Sequence, residues 1–303
     1  MPDVRAVLAS DIHLSQRCPV ARSAEPDWFK AMAWPLEQLA CLSETYDAPI
    51  VYAGDIFDRW NASAEVINFA LENLPPGYSV PGQHDLPNHN YEEIHKSAYW
   101  TLVKSGVLTD LVPGEPVLIN DRLVAHGFPW GYPPRPINRP GNQIDLAVVH
   151  AFVYNTRENA YPGVCDTSRA SVARSALMGF DVAAYGDNHR GFIDTGKGVT
   201  ICNCGGFMRR KTDERDYCPG VGLLLEDGTV KRHYLDTTKE AFIELTEAEE
   251  RVGKVLDMTE FVDGLAELGA GTGLEFDEAV KRFLDTNKTK RRVREIVLEA
   301  TTG

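Results

Sequence analysis

The sequence has no apolar run approaching the ~18 residues that a membrane-spanning helix requires. It also has no excess of positive charge, since its formal net charge is −13. The first absence argues against a membrane protein, and the second against a protein that coats nucleic acid by bulk attraction. The six cysteines, Cys18, Cys41, Cys165, Cys202, Cys204 and Cys218, form no Cys-x-x-Cys pair. A zinc knot or a disulfide framework therefore has little support, and buried or half-buried free thiols are the better reading, with Cys202 and Cys204 sharing a face if they lie on a strand. Internal repeats and low-complexity segments are also missing. The first apolar run, Val4 to Ala9, is short and leads straight into Asp11 and His13, which is unlike a signal peptide. A cytoplasmic protein is expected.

What is present suits one large α/β domain with a smaller appendage: 303 residues, 43% of them hydrophobic and 25% charged. Up to about residue 190 short apolar strands alternate with helical stretches. Val4–Ala9, Ile50–Ala53, Tyr78–Val80, Leu146–Val149 and Val182–Tyr185 read as buried strands. Asp27–Thr45, Ala64–Asn73, Tyr91–Ser105 and Ser168–Met178 read as helices, the first kinked or split at Pro35. Asn120-Asp121 is the expected turn of a hairpin, and the Pro/Gly-rich stretch 127–141 an expected surface loop. Two more hairpins are expected over Phe192–Cys204 and Val221–Tyr234, the latter turning at Asp227-Gly228. From Thr246, which with Glu249 has the spacing of a capping box, apolar residues recur at helical spacing. The expected organisation is therefore a domain over 1–240 and a helical segment over 241–303.

The chemically informative residues stand just beyond strand ends. They are Asp11-Ile12-His13, Gly54-Asp55-Ile56-Phe57-Asp58, Gly82-Gln83-His84-Asp85, His150 and Gly186-Asp187-Asn188-His189. Ligands of open α/β sheets gather beyond the carboxyl ends of strands, so residues far apart in sequence can converge there. Carboxylates mixed with imidazoles suit Mn²⁺, Fe and Zn²⁺. On an extended segment, Asp11 and His13 would point to one side because alternate residues share a face. Two cations roughly 3.5–4 Å apart need a shared ligand, which an aspartate can be, and together they lower the pKa of water toward neutrality. A histidine beside the cations but not bound to them can protonate a leaving alkoxide. Each motif alone is weak, and a lone histidine is more often a satisfied core residue. Their order and placement together carry the inference.

These motifs resemble the calcineurin-like metallophosphoesterases, whose pattern is Asp-x-His, Gly-Asp-x-x-Asp, Gly-Asn-His-Asp/Glu, a single His, then Gly-His-x-His. The resemblance covers about residues 4 to 235 and implies a sandwich of two β-sheets flanked by helices. It implies that Asp11, His13 and His189 hold one metal, that Asp55 bridges, that His150 holds the second, and that His84 is the general acid. Asp58 and Asp85 would orient ligands and brace the turn. Two positions depart from the pattern: Gln83 stands where Asn is usual, and Asp187 where the first His of Gly-His-x-His is usual. The second site would then be Asp55, Gln83, His150 and Asp187. That set is harder and more anionic, which favours Mn²⁺ over Zn²⁺ while leaving Fe, Zn²⁺ and Mg²⁺ open.

The stretch Gly205-Gly206-Phe207-Met208-Arg209, then Glu214 and the following hairpin, is similar to SbcD-type DNA repair nuclease subunits, and Pro81–Pro87 to phage members of that group. The resemblance implies a metal-dependent nuclease acting on DNA ends or single strands, exo- or endonucleolytic, with an SbcC-type ATPase as partner and a homodimer as a further expectation. A DNA substrate would need local basic patches, and Arg209-Arg210-Lys211 and Lys288–Arg294 are the candidates, although such runs are commonly just solvated faces. A phosphoesterase for a small molecule or phosphoprotein fits the same metal motifs. A non-catalytic DNA- or ATPase-binding subunit is the third reading, and an intact His84 argues against it.

Overall fold

Strand formation begins at once, with β1 over Val4–Ala9, and continues through β2 (Ile50–Ala53), β3 (Gly77–Val80) and β4 (Leu108–Asp110), which pair in parallel in that order. Helices α1 (Trp28–Tyr46), α2 (Ala64–Asn73) and α3 (Ala98–Ser105) make the crossovers that parallel pairing requires. The structure is a computed structural model that describes residues 3–138, 141–161, 163–196 and 198–243, all within one compact unit, Met1–Ile243. The helical segment expected from Thr246 and the basic run Lys288–Arg294 lie outside the described residues.

The second half builds another sheet. Its strands are β5 (Val117–Asn120), β6 (Leu123–Phe128), β7 (Ile144–His150), β8 (Val182–Gly186), β9 (Phe192–Asp194) and β10 (Thr200–Asn203). A closing hairpin, β11 (Gly220–Leu225) and β12 (Val230–Tyr234), returns to the first sheet and pairs antiparallel with β1. The sheet orders are β12-β11-β1-β2-β3-β4 and β5-β6-β7-β8-β10-β9. Both sheets are mixed and flanked by helices, the sandwich that the resemblance implied.

The continuous apolar runs follow from burial on both faces. Ala6, Leu8, Val51 and Ala53 pack with Leu146, Val148, Val182 and Ala184 in one cluster. Alternate residues turn outward. Val7, Ala9, Ile50 and Tyr52 meet Met32, Leu36, Leu39 and Tyr99 from the helices. Ala147, Val149, Ala183 and Tyr185 meet Ala170 and Leu177.

Three local expectations change. α1 is not split at Pro35; it runs through it, with Pro35 itself buried between Met32 and Leu36. The apolar face held against the first sheet offsets the lost backbone hydrogen bond. The stretch expected as one helix over Tyr91–Ser105 is a 3-10 turn, Tyr91–Lys96, followed by α3. Ser97 makes the break. Its backbone is extended, its hydroxyl accepts from Trp100 N at 3.2 Å, and it donates to Ile94 O at 2.6 Å. The stretch expected as a helix over Ser168–Met178 is one α turn, α4 (Ala170–Ala173), between 3-10 turns. The six cysteines are free thiols, with Cys202 and Cys204 buried. No helix among the described residues is long and apolar enough to cross a membrane.

Ser97 caps α3 from a buried position, so Ser97→Ala removes a cap and one of the two hydrogen bonds received by the carbonyl of Ile94, which keeps the bond from the backbone N–H of residue 97. The expected loss is about 1–2 kcal/mol, seen as a fall of several degrees in the thermal unfolding midpoint. An unchanged midpoint would show that the cap contributes nothing.

Candidate metal centre

The carboxyl ends of β1, β2 and β3 in one sheet and of β7 and β8 in the other open onto one shared edge, and every candidate ligand lies there. The loops after β1 and β2 are zipped together by their backbones. Asp11 N donates to Gly54 O at 3.0 Å, His13 N to Asp55 O at 3.0 Å, and Leu14 N to Ile56 O at 2.9 Å. This pairing holds an uncommon conformation. Asp11, His13, Asp55 and Asp187 have φ of 53°, 49°, 54° and 79°, in the left-handed region that side chains other than glycine seldom adopt. The expectation of an extended Asp-x-His segment is thereby corrected. Asp11 and His13 reach one site because both residues turn left-handed around Ile12, which is buried in the core.

Gly82 is required by close approach. A Cβ there would lie 2.0 Å from Asp55 Oδ1 and 2.6 Å from His150 Nε2. Asp85, wholly buried, accepts from Ile56 N at 3.1 Å, Phe57 N at 2.9 Å and Gly82 N at 3.0 Å. It clamps the loop after β2 to the loop after β3. Asp58 accepts Arg210 Nη1 at 2.7 Å through its carboxylate, while its carbonyl stands 3.0 Å from His84 Nδ1.

Asp55 is the hub. Its Oδ1 accepts from His84 N at 3.0 Å, and its Oδ2 lies 3.3 Å from His150 Nε2 and 3.7 Å from His13 Nε2. Asp11 Oδ1 is 3.9 Å from both His13 Nε2 and His189 Nε2, and those two ring nitrogens are 3.1 Å apart. Three groups place ligand atoms close enough for one ion each: Asp11, His13 and His189; Asp11, Asp55 and His150; and His13, Asp55 and His84. His150 donates from Nδ1 to Ala53 O at 2.6 Å, which turns Nε2 inward. His150 Nε2, His13 Nδ1 and Gln83 Oε1 are buried without a hydrogen-bond partner. Leaving such atoms unsatisfied costs stability, and a cation beside Asp55 would engage His150 Nε2, which lies 3.3 Å from Asp55 Oδ2. The donor set fits divalent metal ions.

Electrostatics point the same way. Burial, reinforced by Asp55 and Asp187, pushes Asp11 up to about 7 against the pull of His150 and Ser10. Burial and Asp55 push Asp85 up to about 7 against its backbone donors. Burial would also raise Asp55, but His150, His84 and His13 hold it below the usual carboxylate range. Burial would lower His150, yet Asp55, Asp11 and Asp187 outweigh it and raise it to about 10. Burial lowers His13 well below its usual value. Burial with Lys211 and Arg210 lowers His189 to about 4. Crowded carboxylates demand positive charge, and without metal a proton on His150 supplies part of it.

Asp11, His13, Asp55, His84, His150 and His189 thus come together. Gln83 and Asp187, the two departures from the family pattern, touch each other: Gln83 Nε2 donates to Asp187 Oδ1 at 2.7 Å. Asp187 N also donates to both oxygens of Asp11, at 3.0 and 3.2 Å. Asp187 belongs to none of the three ligand groups found among the described residues. Arg210 and Lys211 act on the centre electrostatically. Arg209, expected as a substrate contact, is engaged elsewhere. Its guanidinium is spent on Glu240 Oε2, Arg215 O and Thr237 O, which tie down the chain after β12. Two contributors went unnoticed in the sequence. Ser10 donates to Asp11 Oδ2 at 2.6 Å, and no spacing rule marks it. Asn188 donates to Val153 O at 2.7 Å and Asn159 O at 2.9 Å, and its place between Asp187 and His189 was the available signal.

A family model described as calcineurin-like phosphoesterase matches residues 4–191. Among solved structures, a putative 5'-nucleotidase from Staphylococcus aureus is 12% identical, with 82% of this chain and 57% of that chain covered and a TM-score of 0.46. The present chain therefore spans little more than half of that protein's length. A dimetal phosphatase from Danio rerio is 11% identical, with coverage of 81% and 100% and a TM-score of 0.49. An archaeal phosphodiesterase is 14% identical, with coverage of 76% and 99% and a TM-score of 0.38. No curated protein sequence matches the chain.

Metal loading must displace the proton on His150 and any proton on Asp11. Both groups hold their protons to higher pH than usual, so binding releases protons and tightens as pH rises. Calorimetry of Mn²⁺ binding in buffers of different ionisation enthalpy reads this directly; an affinity independent of pH would contradict it. The contact between Gln83 and Asp187 predicts coupling. Gln83→Asn and Asp187→His should each weaken metal binding, and the double variant should recover about 0.5–3 kcal/mol relative to additivity. Strict additivity would show that the two positions act separately.

Proposed function

Because the chain belongs to the calcineurin-like phosphoesterase family, a family that works with a dimetal centre, we propose that it is a two-metal phosphodiesterase acting on DNA ends or single-stranded DNA, a nuclease of the SbcD type. The observation that carries the phosphoesterase reading is the convergence of Asp11, Asp55, His150 and His189 around unpartnered buried acceptors, with His84 alongside. The diester reading draws on the stretch from Gly205 to Glu214 and on the open side of the centre, where the His189 side chain is 38% exposed. An open mouth leaves room for both ester arms of a diester.

Asp11, His13 and His189 would hold one cation, and Asp55, Gln83, His150 and Asp187 the other, with Asp55 shared. Such a pair of cations polarises phosphoryl oxygens and lowers the pKa of water. His84 is oriented twice, through its backbone N–H to Asp55 and through Nδ1 to the carbonyl of Asp58. With Nδ1 donating to that carbonyl, a protonated ring presents its other N–H to the leaving sugar oxygen, and losing that proton leaves the ring in place. Arg210, fixed by Asp58 at 2.7 Å and lying 3.4 Å from Ser15 Oγ, adds positive charge beside the phosphate position. The oxygen donors of Gln83 and Asp187 favour Mn²⁺. An SbcC-type ATPase is the corresponding partner.

His84 also lies within reach of His13 and Asp55 as a ligand group, so its role is open to a decisive measurement. His84→Ala should lower kcat by about 10²–10⁴ while metal content stays at two ions per chain; loss of an ion would reassign His84 as a ligand. The substrate class is read with Mn²⁺ and four substrates: a chromogenic phosphodiester, a phosphomonoester, and labelled single- and double-stranded DNA. Turnover of the diester and of DNA is expected. Preference for the monoester would replace this reading with a small-molecule or phosphoprotein phosphatase, and inactivity on every substrate with a binding subunit.

A further inference from the structure

Between β7 and α4 the chain folds into a loop on the His189 side of the centre. Asn188 fastens it through the carbonyls of Val153 and Asn159, and Arg190 Nη1 donates to Glu158 O. Residues on either side of Asn188 are candidate ligands, so the loop and the centre share one support. The loop surface forms a groove of about 480 Å³ lined by Tyr154, Arg157, Tyr161, Val164 and Asp166. An adjoining hollow of about 140 Å³ shares Tyr154, Arg157 and Asp166 and adds Arg169.

Charge distinguishes this groove. Near the centre, Arg210 is committed to Asp58, and Arg209 to Glu240. Arg157 and Arg169 are exposed and make no ion pair among the described residues. Arg190 is exposed as well, and its recorded partner is a neutral carbonyl. Asp166 is the acidic lining residue, and one of its oxygens already accepts the Tyr154 hydroxyl at 3.2 Å. In a chain of net charge −13, positive charge left unneutralised beside the site is a local attraction for a polyanion. The aromatic content matches. Tyr161 is 54% exposed, yet its ring is fixed edge-to-face on Phe152 at 4.6 Å. Phe152 follows His150 by two residues. A ring that stands in water but is held by a second ring is a preorganised stacking surface.

We propose that this groove is a docking subsite for single-stranded DNA flanking the scissile phosphate, with Tyr161 stacking a base and Arg157 and Arg169 taking flanking phosphates. The proposal rests on the phosphodiesterase reading for its catalytic consequence and on the groove alone for binding. It assigns strand selection to the 151–169 loop and leaves the chemistry to the centre.

The test uses the full chain with Arg157→Gln/Arg169→Gln, Tyr161→Ala and Tyr161→Phe. Binding of a fluorescein-labelled oligothymidylate is followed by anisotropy over a range of salt. KM and kcat are measured for the same oligonucleotide and for bis(p-nitrophenyl) phosphate. The arginine pair variant should weaken oligonucleotide binding about tenfold and flatten the slope of log K against log salt by about 1.4, at ~0.7 per lost phosphate contact. Tyr161→Ala should weaken binding about tenfold and Tyr161→Phe hardly at all, since stacking needs the ring alone. KM for the small diester should stay within about twofold of the unsubstituted protein. Unchanged oligonucleotide binding in these variants, or parallel losses on both substrates, overturns the proposal. A protein inactive on every phosphodiester refutes the catalytic reading instead, and the anisotropy series then decides the groove on its own.

Discussion

A single buried carboxylate organises the molecule's chemistry. Asp55 is almost wholly removed from water, and it is met by His84 N on one oxygen and by His150 and His13 on the other. An isolated charge in that position would be very costly. Asp11, Asp85 and Asp187 crowd the same site, and burial, with the charge of Asp55 adding to it, pushes all three carboxyls above their usual range. Cations at the centre would offset that cost. The unsatisfied faces of His150 and Gln83 mark where they belong. Gly82 follows from the same constraint, because any side chain there would occupy the space between Asp55 and His150.

Much of the fold could be read in advance because its strands are buried on both faces. β1, β2 and α2 fall at their expected ends, and the hairpin turning at Asp227-Gly228 forms as expected, with Gly228 at φ 80°. The centre was legible for a related reason: ligand-type residues directly follow those strands. What local pattern does not encode was missed. Ser97 looks helical until its hydroxyl is seen capping the following turn. The left-handed backbone at Asp11, His13 and Asp55 is imposed by hydrogen bonds between two loops, so an alternation argument drawn from strands gave the right destination for the wrong geometry. The pairing of Arg209 with Glu240 could not be foreseen, because the two lie 31 residues apart. The division into two sheets came with the family resemblance, since strand order alone does not show where one sheet ends.

The departures at 83 and 187 gain a physical meaning as a pair. Glutamine reaches one methylene further than asparagine, and the carboxylate it meets at 2.7 Å stands where the family pattern has an imidazole. A shorter amide would leave Asp187 without that donor, and a histidine would replace the charged carboxylate acceptor with a single neutral ring nitrogen. The amide nitrogen is used on Asp187 while the amide oxygen stays unpartnered and inward, so one side chain can hold its neighbour and still offer an acceptor. Two substitutions that look like separate erosions of a motif are then one adjustment of the same wall.

The proposed DNA substrate must be reconciled with the net charge of the chain. An acidic chain repels a polyanion at a distance, and screening limits that repulsion to roughly 8–10 Å at ordinary ionic strength. Within that range only the local balance matters. Within the basic run from Arg209, Arg209 is paired with Glu240 and Arg210 with Asp58, so Arg210 serves the centre as one half of an ion pair. On or beside the loop fastened to Asn188, Arg157, Arg169 and Arg190 carry positive charge with no ion pair among the described residues. Anything that moved this loop would pull on the residue between Asp187 and His189, so binding in the groove and the geometry of the centre share one mechanical support. Under the reading proposed above, a strand held there would be positioned by the loop that Asn188 fastens, which would put discrimination between substrates on the rim and leave the floor of the centre common to many phosphoesters.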